Sequence, residues 1–384
     1  MAEIVSIALI LLFGTLCSAL AYRMKISNVF FLVLAGMIFG MFEFVSFDNS
    51  VIVVISELAL VMVVFDATSR LNFKEVLKYS KETVKLTLIF LLFAVVIITP
   101  LTFHLLNVDI MVAVLFAVLM YGIDPAIALS VLKGKKDKIV EILEIESIMN
   151  TPLTLILSLI LLRVISGEGS GVFSDQIVMF LQQLFVPIGV GVVLGFVIVH
   201  IMKHHFFEEL SHLMVITAAI VAYVLSELMN GNGVLAVTMF GLIFGNYHIK
   251  HKLELEKFAS VFANTLKILV FVLLGIVIVK FSQLRTFDQL LYGSLLFVIY
   301  LIVRYAAVHV SLKKLSFRHK LFMTLNVPKG IDVGIVILLV ISTISNVPGL
   351  EVITNVSLLF VLYSIVVSTV SSVFNSWFFE KVKN

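Results

Sequence analysis

Glu144, Glu146, Ser147, Asn150, Thr151 and Pro152 fall within one otherwise apolar run, and Ser147, Asn150 and Thr151 share a helix face at spacings of three and four. Hydroxyl, amide and carboxylate oxygens are hard ligands, suited to a small cation and not to a soft metal. Two other places carry charge next to a proline within a long apolar stretch: Gly122-Ile123-Asp124-Pro125, and Pro328-Lys329-Gly330 with Asp332 two residues on. Proline removes a backbone donor and clashes with the preceding turn, so each break leaves carbonyl and N–H groups without helical partners. In hydrocarbon each such group costs several kcal/mol, and something polar must meet it. Half-helix N-termini carry partial positive charge and C-termini partial negative charge. Asp124 and Lys329 therefore suit opposite ends of two crossing breaks, either as ion-binding groups or as compensators of the dipoles. Asp66, Lys267 and Arg304 also lie in apolar runs, where an ionisable group costs about 2.5–3.5 kcal/mol and needs a reason. Asp66 stands one turn from Arg70, and Asp332 is within reach of Lys329, so each has an ion-pair reading beside a site reading. No Cys/His pair has zinc spacing, no Gly-rich loop suits a phosphate, and no Ser/His/Asp set is convincing, so neither an enzyme nor a resident cofactor is expected.

The elements that must position these residues are membrane helices. Hydrophobic residues make up 61% of the chain and charged residues 13%, against about 45–50% and about 25% in soluble domains. Hydrophobic runs between polar breaks predict about thirteen spans: Ile4–Tyr22, Val29–Phe44, Val51–Ala67, Val84–Leu106, Ile110–Val131, Ile142–Ile165, Ile177–Met202, Leu213–Met229, Val234–Gly245, Phe258–Val279, Leu290–Leu312, Leu321–Ile344 and Ile353–Phe374. With the N-terminus outside, 21 of the 27 Lys and Arg residues fall on inner loops, and Arg163, Lys280 and Arg285 on outer ones. That asymmetry is what the positive-inside rule requires, and it places the C-terminus in the cytoplasm. No basic loop is long enough to fold around a nucleic acid, which leaves the lipid bilayer as the partner of this surface. Cys17 lies in the first run as packing material, and a single cysteine permits no intrachain disulfide.

An internal repeat divides the chain. Gly36-Met37-Ile38-Phe39-Gly40 in the second span matches Gly241-Leu242-Ile243-Phe244-Gly245 in the ninth, at nearly the offset that separates Pro125 from Pro328. Both pairs are seven spans apart; because that number is odd, the halves have opposite orientation, as in transporters whose discontinuous helices meet at the bilayer midplane. The expected fold is an all-α membrane protein of two inverted repeats with crossing broken helices. Each GxxxG alone reads as a close helix-packing face.

The run from Tyr121 to Leu162 resembles the cation:proton antiporter superfamily, in particular the archaeal and bacterial sodium/proton exchangers of the NhaP type. Those proteins carry a Thr-Asp-Pro break in span five and Glu-Ser-x-x-Asn-Asp in span six. Phe65-Asp66, Gly241 to Asn246, Asn264 to Gly275 and Arg304 extend the likeness over nearly the whole chain. The resemblance implies a site for sodium or another monovalent cation, built from the Ile123 carbonyl, the Asp124 carboxylate, the Ser147 hydroxyl and Asp66 through water, with Glu146 and Arg304 as a structural ion pair. It further implies a homodimer in the cell membrane, with residues 1–69 and 176–282 as scaffold and residues 84–166 and 288–377 as the ion-translocating core. There are two departures. Ile123 stands where the family has Thr, which removes a hydroxyl but keeps the carbonyl. Thr151 stands where the family has its main titrating Asp, and threonine does not titrate in the accessible range. Exchange by competition then needs another carboxylate: Asp124 first, Asp66 second, Asp332 third. The function implied is exchange of a monovalent cation for protons by alternating access. The alternative is a relative altered in transport, acting as a passive cation pathway, a sensor or an organic-solute carrier.

Overall fold

In the computed structural model the residues described are 2–24, 28–45, 47–70, 73–123, 138–167, 173–203, 211–247, 252–282, 287–343 and 347–379. They are nearly all helical. The helices run α1 Ala2–Met24, α2 Asn28–Met41, α3 Asn49–Ser69, α4 Phe73–Phe93, α5 Thr99–Leu106, α6 Ile110–Tyr121, α7 Lys138–Ile165, α8 Phe173–Lys203, α9 Ser211–Leu228, α10 Gly233–Asn246, α11 Lys252–Ser282, α12 Phe287–Ser311, α13 Phe317–Leu325, α14 Ile331–Thr343, α15 Leu350–Val373 and α16 Asn375–Phe379. Eight are long and apolar enough to cross a membrane, and shorter apolar helices accompany them, including α2, α6, α10 and part of α14. Several reach beyond the hydrophobic runs that predict them. α11 begins at Lys252 instead of Phe258, and α7 at Lys138 instead of Ile142. Hydropathy marks the part of a helix that lies in hydrocarbon, whereas the helix itself continues while its charged side chains reach water.

Local chemistry sets the ends and bends. Asp109 caps α6, its carboxylate accepting from the Met111 N–H at 2.8 Å, and Asn232 caps α10, accepting from the Leu235 N–H at 3.1 Å. α4 passes into α5 through a widened π-type turn at Ala94–Ile98, just before Pro100. The ring of Pro100 cannot fit a regular turn and it has no N–H to donate, so the wider turn absorbs it without ending the helix.

Burial separates central helices from peripheral ones. Residues 331–340 of α14 and 270–278 of α11 are buried throughout, as are most positions of α3 and α6. α1 and α8, by contrast, expose Ile4, Leu12, Leu16, Phe185 and Val193, an outward apolar face suited to lipid. The GxxxG segments are packing faces. A Cβ on Gly36 would overlap the Val272 carbonyl of α11 and sit 2.9 Å from the Gly275 Cα, and one on Gly245 would overlap the Ser69 carbonyl of α3. Phe65 of α3 stacks on Phe240 of α10 and meets Phe244 at a tilt, with ring centroids 5.4 and 5.5 Å away. Thus α2 lies on α11 and α10 on α3 at glycine distance, where dispersion between backbones is the attraction available in lipid.

The second interruption is where the sequence places it, and α6 ends where the first is expected to begin. α6 stops at Tyr121, and Gly122 and Ile123 are non-helical; Asp124 and Pro125 lie outside the described residues. The span predicted over Leu321–Ile344 is two helices, α13 and α14, separated by the non-helical residues 326–330.

The helix contacts generate a stability test. Replacing Gly36 by Ala should lower thermal stability in detergent by about 1–3 kcal/mol, because backbone and not a flexible side chain blocks the new methyl. Gly189, with open space around its Cα, should accept Ala with no loss.

Candidate functional site

The second break is held by hydroxyls from α15. Ser364 Oγ accepts from the Lys329 N–H at 3.0 Å and donates to the Val361 carbonyl at 2.9 Å. One turn on, Ser368 Oγ donates to Asn326 Oδ1 at 3.1 Å, while Asn326 Nδ2 donates to the Phe322 carbonyl at the end of α13 at 3.0 Å. Two serines at helical spacing thus serve polar groups at both ends of residues 326–330, which have left the helix, and this is why the unwound segment can be fully buried.

Lys329 joins that break to the other one. Its Nζ donates to the Met120 carbonyl, to the Gly122 carbonyl at 3.2 Å and to Tyr300 Oη at 2.7 Å. Met120 and Gly122 form the C-terminal end of α6, whose last carbonyls have no intrahelical partner and carry the negative end of the helix dipole. The ammonium is 1% exposed at residue level, so these oxygens replace its hydration shell. The Lys329 Nζ also lies 4.1 Å from the centroid of the Tyr300 ring.

Glu146 of α7 and Arg304 of α12 form a bidentate pair: Arg304 Nη1 donates to Glu146 Oε1, and Nη2 donates to Oε2 at 2.8 Å. Both side chains are removed from solvent, and the Arg304 guanidinium lies 4.7 Å from the Phe90 ring centroid. Phe90, Tyr121, Tyr300, Phe297 and Phe360 form a chain of ring contacts around these charges, with centroids 5.2 to 6.1 Å apart. A wall of aromatic carbon keeps water out, which strengthens every charge interaction inside it.

Asp66 pairs within its own helix. Its Oδ1 accepts from Arg70 Nε at 3.0 Å and lies 2.9 Å from Nη2, an ion pair within α3 whose arginine side chain is 48% exposed. Asp332 is buried in the first turn of α14, where a carboxylate also meets the positive end of the helix dipole. A Cβ placed on Gly122 would collide with Asp332 Oδ2, so that carboxylate lies directly against the first break. Ile123 is buried beside it. Asn150 is fully buried and Thr151 half-buried on α7; of Ser147 only the helical backbone is described, and Asp124 lies outside the described residues. The structure therefore brings Lys329, Asp332 and the Gly122–Ile123 backbone together, sets the Glu146–Arg304 pair beside α6, and pairs Asp66 with Arg70.

Sequence reasoning passed over Tyr300, Ser364 and Thr154. Tyr300 stands one turn before Arg304, and Ser364 and Ser368 one turn apart in an apolar helix; that spacing was the available signal. Thr154 stands one turn beyond Asn150, and its Cγ2 would be 3.1 Å from a Cβ on Gly122.

The end of one helix and the break within another, joined by buried charge among helices long enough to cross a bilayer, have the form of a membrane transporter's core. The chain belongs to the sodium/hydrogen exchanger family, whose transmembrane model matches residues 7–378. It is 26% identical over 391 residues to the Na(+)/H(+) antiporter NhaH of Halobacillus aidingensis, covering 94% of each chain. It is 30% identical over 282 residues to the Na(+)/H(+) antiporter NhaG of Bacillus atrophaeus, a match that takes in 68% of this chain and spans 52% of that relative. Its fold is that of the sodium proton antiporter MjNhaP1 from Methanocaldococcus jannaschii, determined at pH 8, with a TM-score of 0.80 at 18% identity over 99% of this chain and 98% of the other. The chain is accordingly a multi-pass membrane protein.

Removing one partner of the Glu146–Arg304 pair leaves a bare buried charge. Glu146→Ala or Arg304→Ala should each cost about 3–5 kcal/mol, and the double replacement less than their sum, in thermal or denaturant unfolding of the purified protein. Equal additivity would show that the two charges are solvated independently.

Proposed function

We propose that this chain exchanges sodium or another monovalent cation for protons across the cell membrane, by alternating access of a site at its two helix breaks. The observation that carries the reading is the reach of Lys329 from one break to the carbonyl end of the other, which makes the two interruptions one electrostatic unit. Charge compensation built this way leaves the Ile123 carbonyl and the acids near the break to receive a mobile cation. The relatives named as antiporters support the same assignment. In this reading Asp124, the Ile123 carbonyl, Ser147, Asn150 and Thr151 surround the cation, and Glu146–Arg304 braces α7 against α12. Asp66, held by Arg70, serves the inner approach to the site. Residues 84–166 and 288–377 form the moving core, residues 1–69 and 176–282 the scaffold through which two copies pair, and the N-terminus lies outside.

A second reading is favoured by one residue. Thr151 takes the place of the titrating carboxylate of the family pattern, which would suit a passive cation pathway or a sensor.

Reconstitution decides between them. In liposomes with an imposed pH gradient, sodium, lithium or potassium should each be tested for the proton movement it elicits, and at least one should elicit it from the native chain. Asp124→Asn should reduce it by about tenfold or more, as expected when a ligand carboxylate is lost. Native protein that moves no protons in response to any of the three cations, while Thr151→Asp does, would establish the second reading.

A further inference from the structure

From Asn150 onward α7 continues as a polar stripe that the residues above account for only at its first member. Asn150, Thr154 and Ser158 are spaced by four, lie on one face of the helix and are each fully buried. Neither polar atom of the Asn150 amide, nor Thr154 Oγ1, nor Ser158 Oγ, has a hydrogen-bond partner among the described residues. A buried polar group left unsatisfied costs about 1–3 kcal/mol, and several in one stripe call for an ion or water that they hold. The stripe does not face lipid, because Thr154 packs at the Gly122 backbone, at the spot also met by Asp332 Oδ2.

We infer that Asp332, Thr154 and Asn150 form a binding site for a monovalent hard cation between the end of α6, α7 and the start of α14, with Asp332 supplying the carboxylate that α7 lacks at Thr151. The inference deepens the exchange reading and rests on it for the identity of the cation. Three observations converge on the site. Its ligands are one carboxylate, one amide oxygen and one hydroxyl, a hard oxygen set. Asp332 Oδ2 and the Thr154 methyl approach the same side of Gly122 from two helices, which sets α7 and the start of α14 against the end of α6. Thr151 lies one turn before Thr154 on α7, so a carboxylate at 151 and the one at 332 would border the same side of α7. Lys329 does not fill the site, since its ammonium is already committed to Met120, Gly122 and Tyr300.

The test uses the full chain purified in detergent, with thermal unfolding followed in sodium chloride against choline chloride at matched ionic strength. A cation that binds the folded state raises stability with its concentration. The native chain should be stabilised by sodium. Asp332→Asn, shown folded by its elution profile, should need about tenfold more sodium or lose the effect, and Thr154→Val should need severalfold more. Thr151→Asp added to Asp332→Asn should restore the response, since it returns a carboxylate to the same side of α7. A folded Asp332→Asn variant with the native sodium response overturns the inference, as does a native chain with no sodium response. If Asp332→Asn does not fold, Thr154→Val decides, and an unchanged response there overturns the site. Proton movement in liposomes is read separately. A sodium response lost in Asp332→Asn by a chain that moves no protons keeps the site and removes the exchange reading, whereas native exchange with an unaltered Asp332→Asn response does the reverse.

Discussion

The ammonium of Lys329 is the contact on which the centre of this molecule depends. A helix that stops within an apolar interior presents the carbonyls of its last turn to surroundings that offer no hydrogen bonds, and α6 stops at Tyr121 in such a place. The cation that meets them comes from the other interruption, and its own backbone N–H is held by Ser364. The second break therefore removes the cost of the first, and α15 removes that of the second. The second cannot be regularised into continuous helix without exposing the first, because closing α13 onto α14 would withdraw the lysine from the carbonyls of α6. That dependence explains why irregular backbone persists where regular helix would otherwise be favoured.

Charge inside such a site needs both pairing and dryness. The Glu146–Arg304 fork supplies pairing, and the rings of Phe90, Tyr121, Tyr300 and Phe360 supply a boundary that water does not cross. A buried ion pair contributes little net stability over a well-packed apolar pair, so its value here is positional. Glu146 belongs to the helix that carries Asn150 and Thr154, and Arg304 to the helix that carries Tyr300. The fork thereby fixes α7 relative to α12, and through Tyr300 it fixes α7 relative to the lysine. Glycine contacts do the corresponding work farther out, where α2 lies on α11 and α10 on α3 with backbone against backbone.

Much of this was readable in the residues. Hydropathy located the helices because lipid imposes a uniform solvent, and the prolines beside Asp124 and Lys329 located the breaks because proline cannot occupy a regular turn without cost. Spacing could not say what lies across from a residue. Asp66 was open between a site role and a pair with Arg70, and only the fold shows the pair. The meeting of Lys329 with Met120 joins residues 209 positions apart, a fact with no local sequence signature. Thr154 had no signal of its own either, since a threonine in an apolar helix is ordinary until its neighbour across the interface is Asp332.

Net charge then limits what this centre accepts. Among the described residues of this centre, Glu146 and Arg304 cancel and Lys329 stands against Asp332, so in the reading proposed above the Asp124 carboxylate is the added charge. In that reading one proton or one monovalent cation brings the set to neutrality. A divalent ion would leave excess positive charge in a low-dielectric region, where uncompensated charge costs several kcal/mol. Had α7 carried aspartate at 151 in addition to Asp332, a second negative charge would remain after one cation bound, and the resting site would require a proton and a cation together. In the proposed reading, threonine at that position keeps the total at one. A site balanced in this way would take up either a proton or a monovalent cation at the same net charge, which is the condition for moving either one through the apolar interior at similar cost.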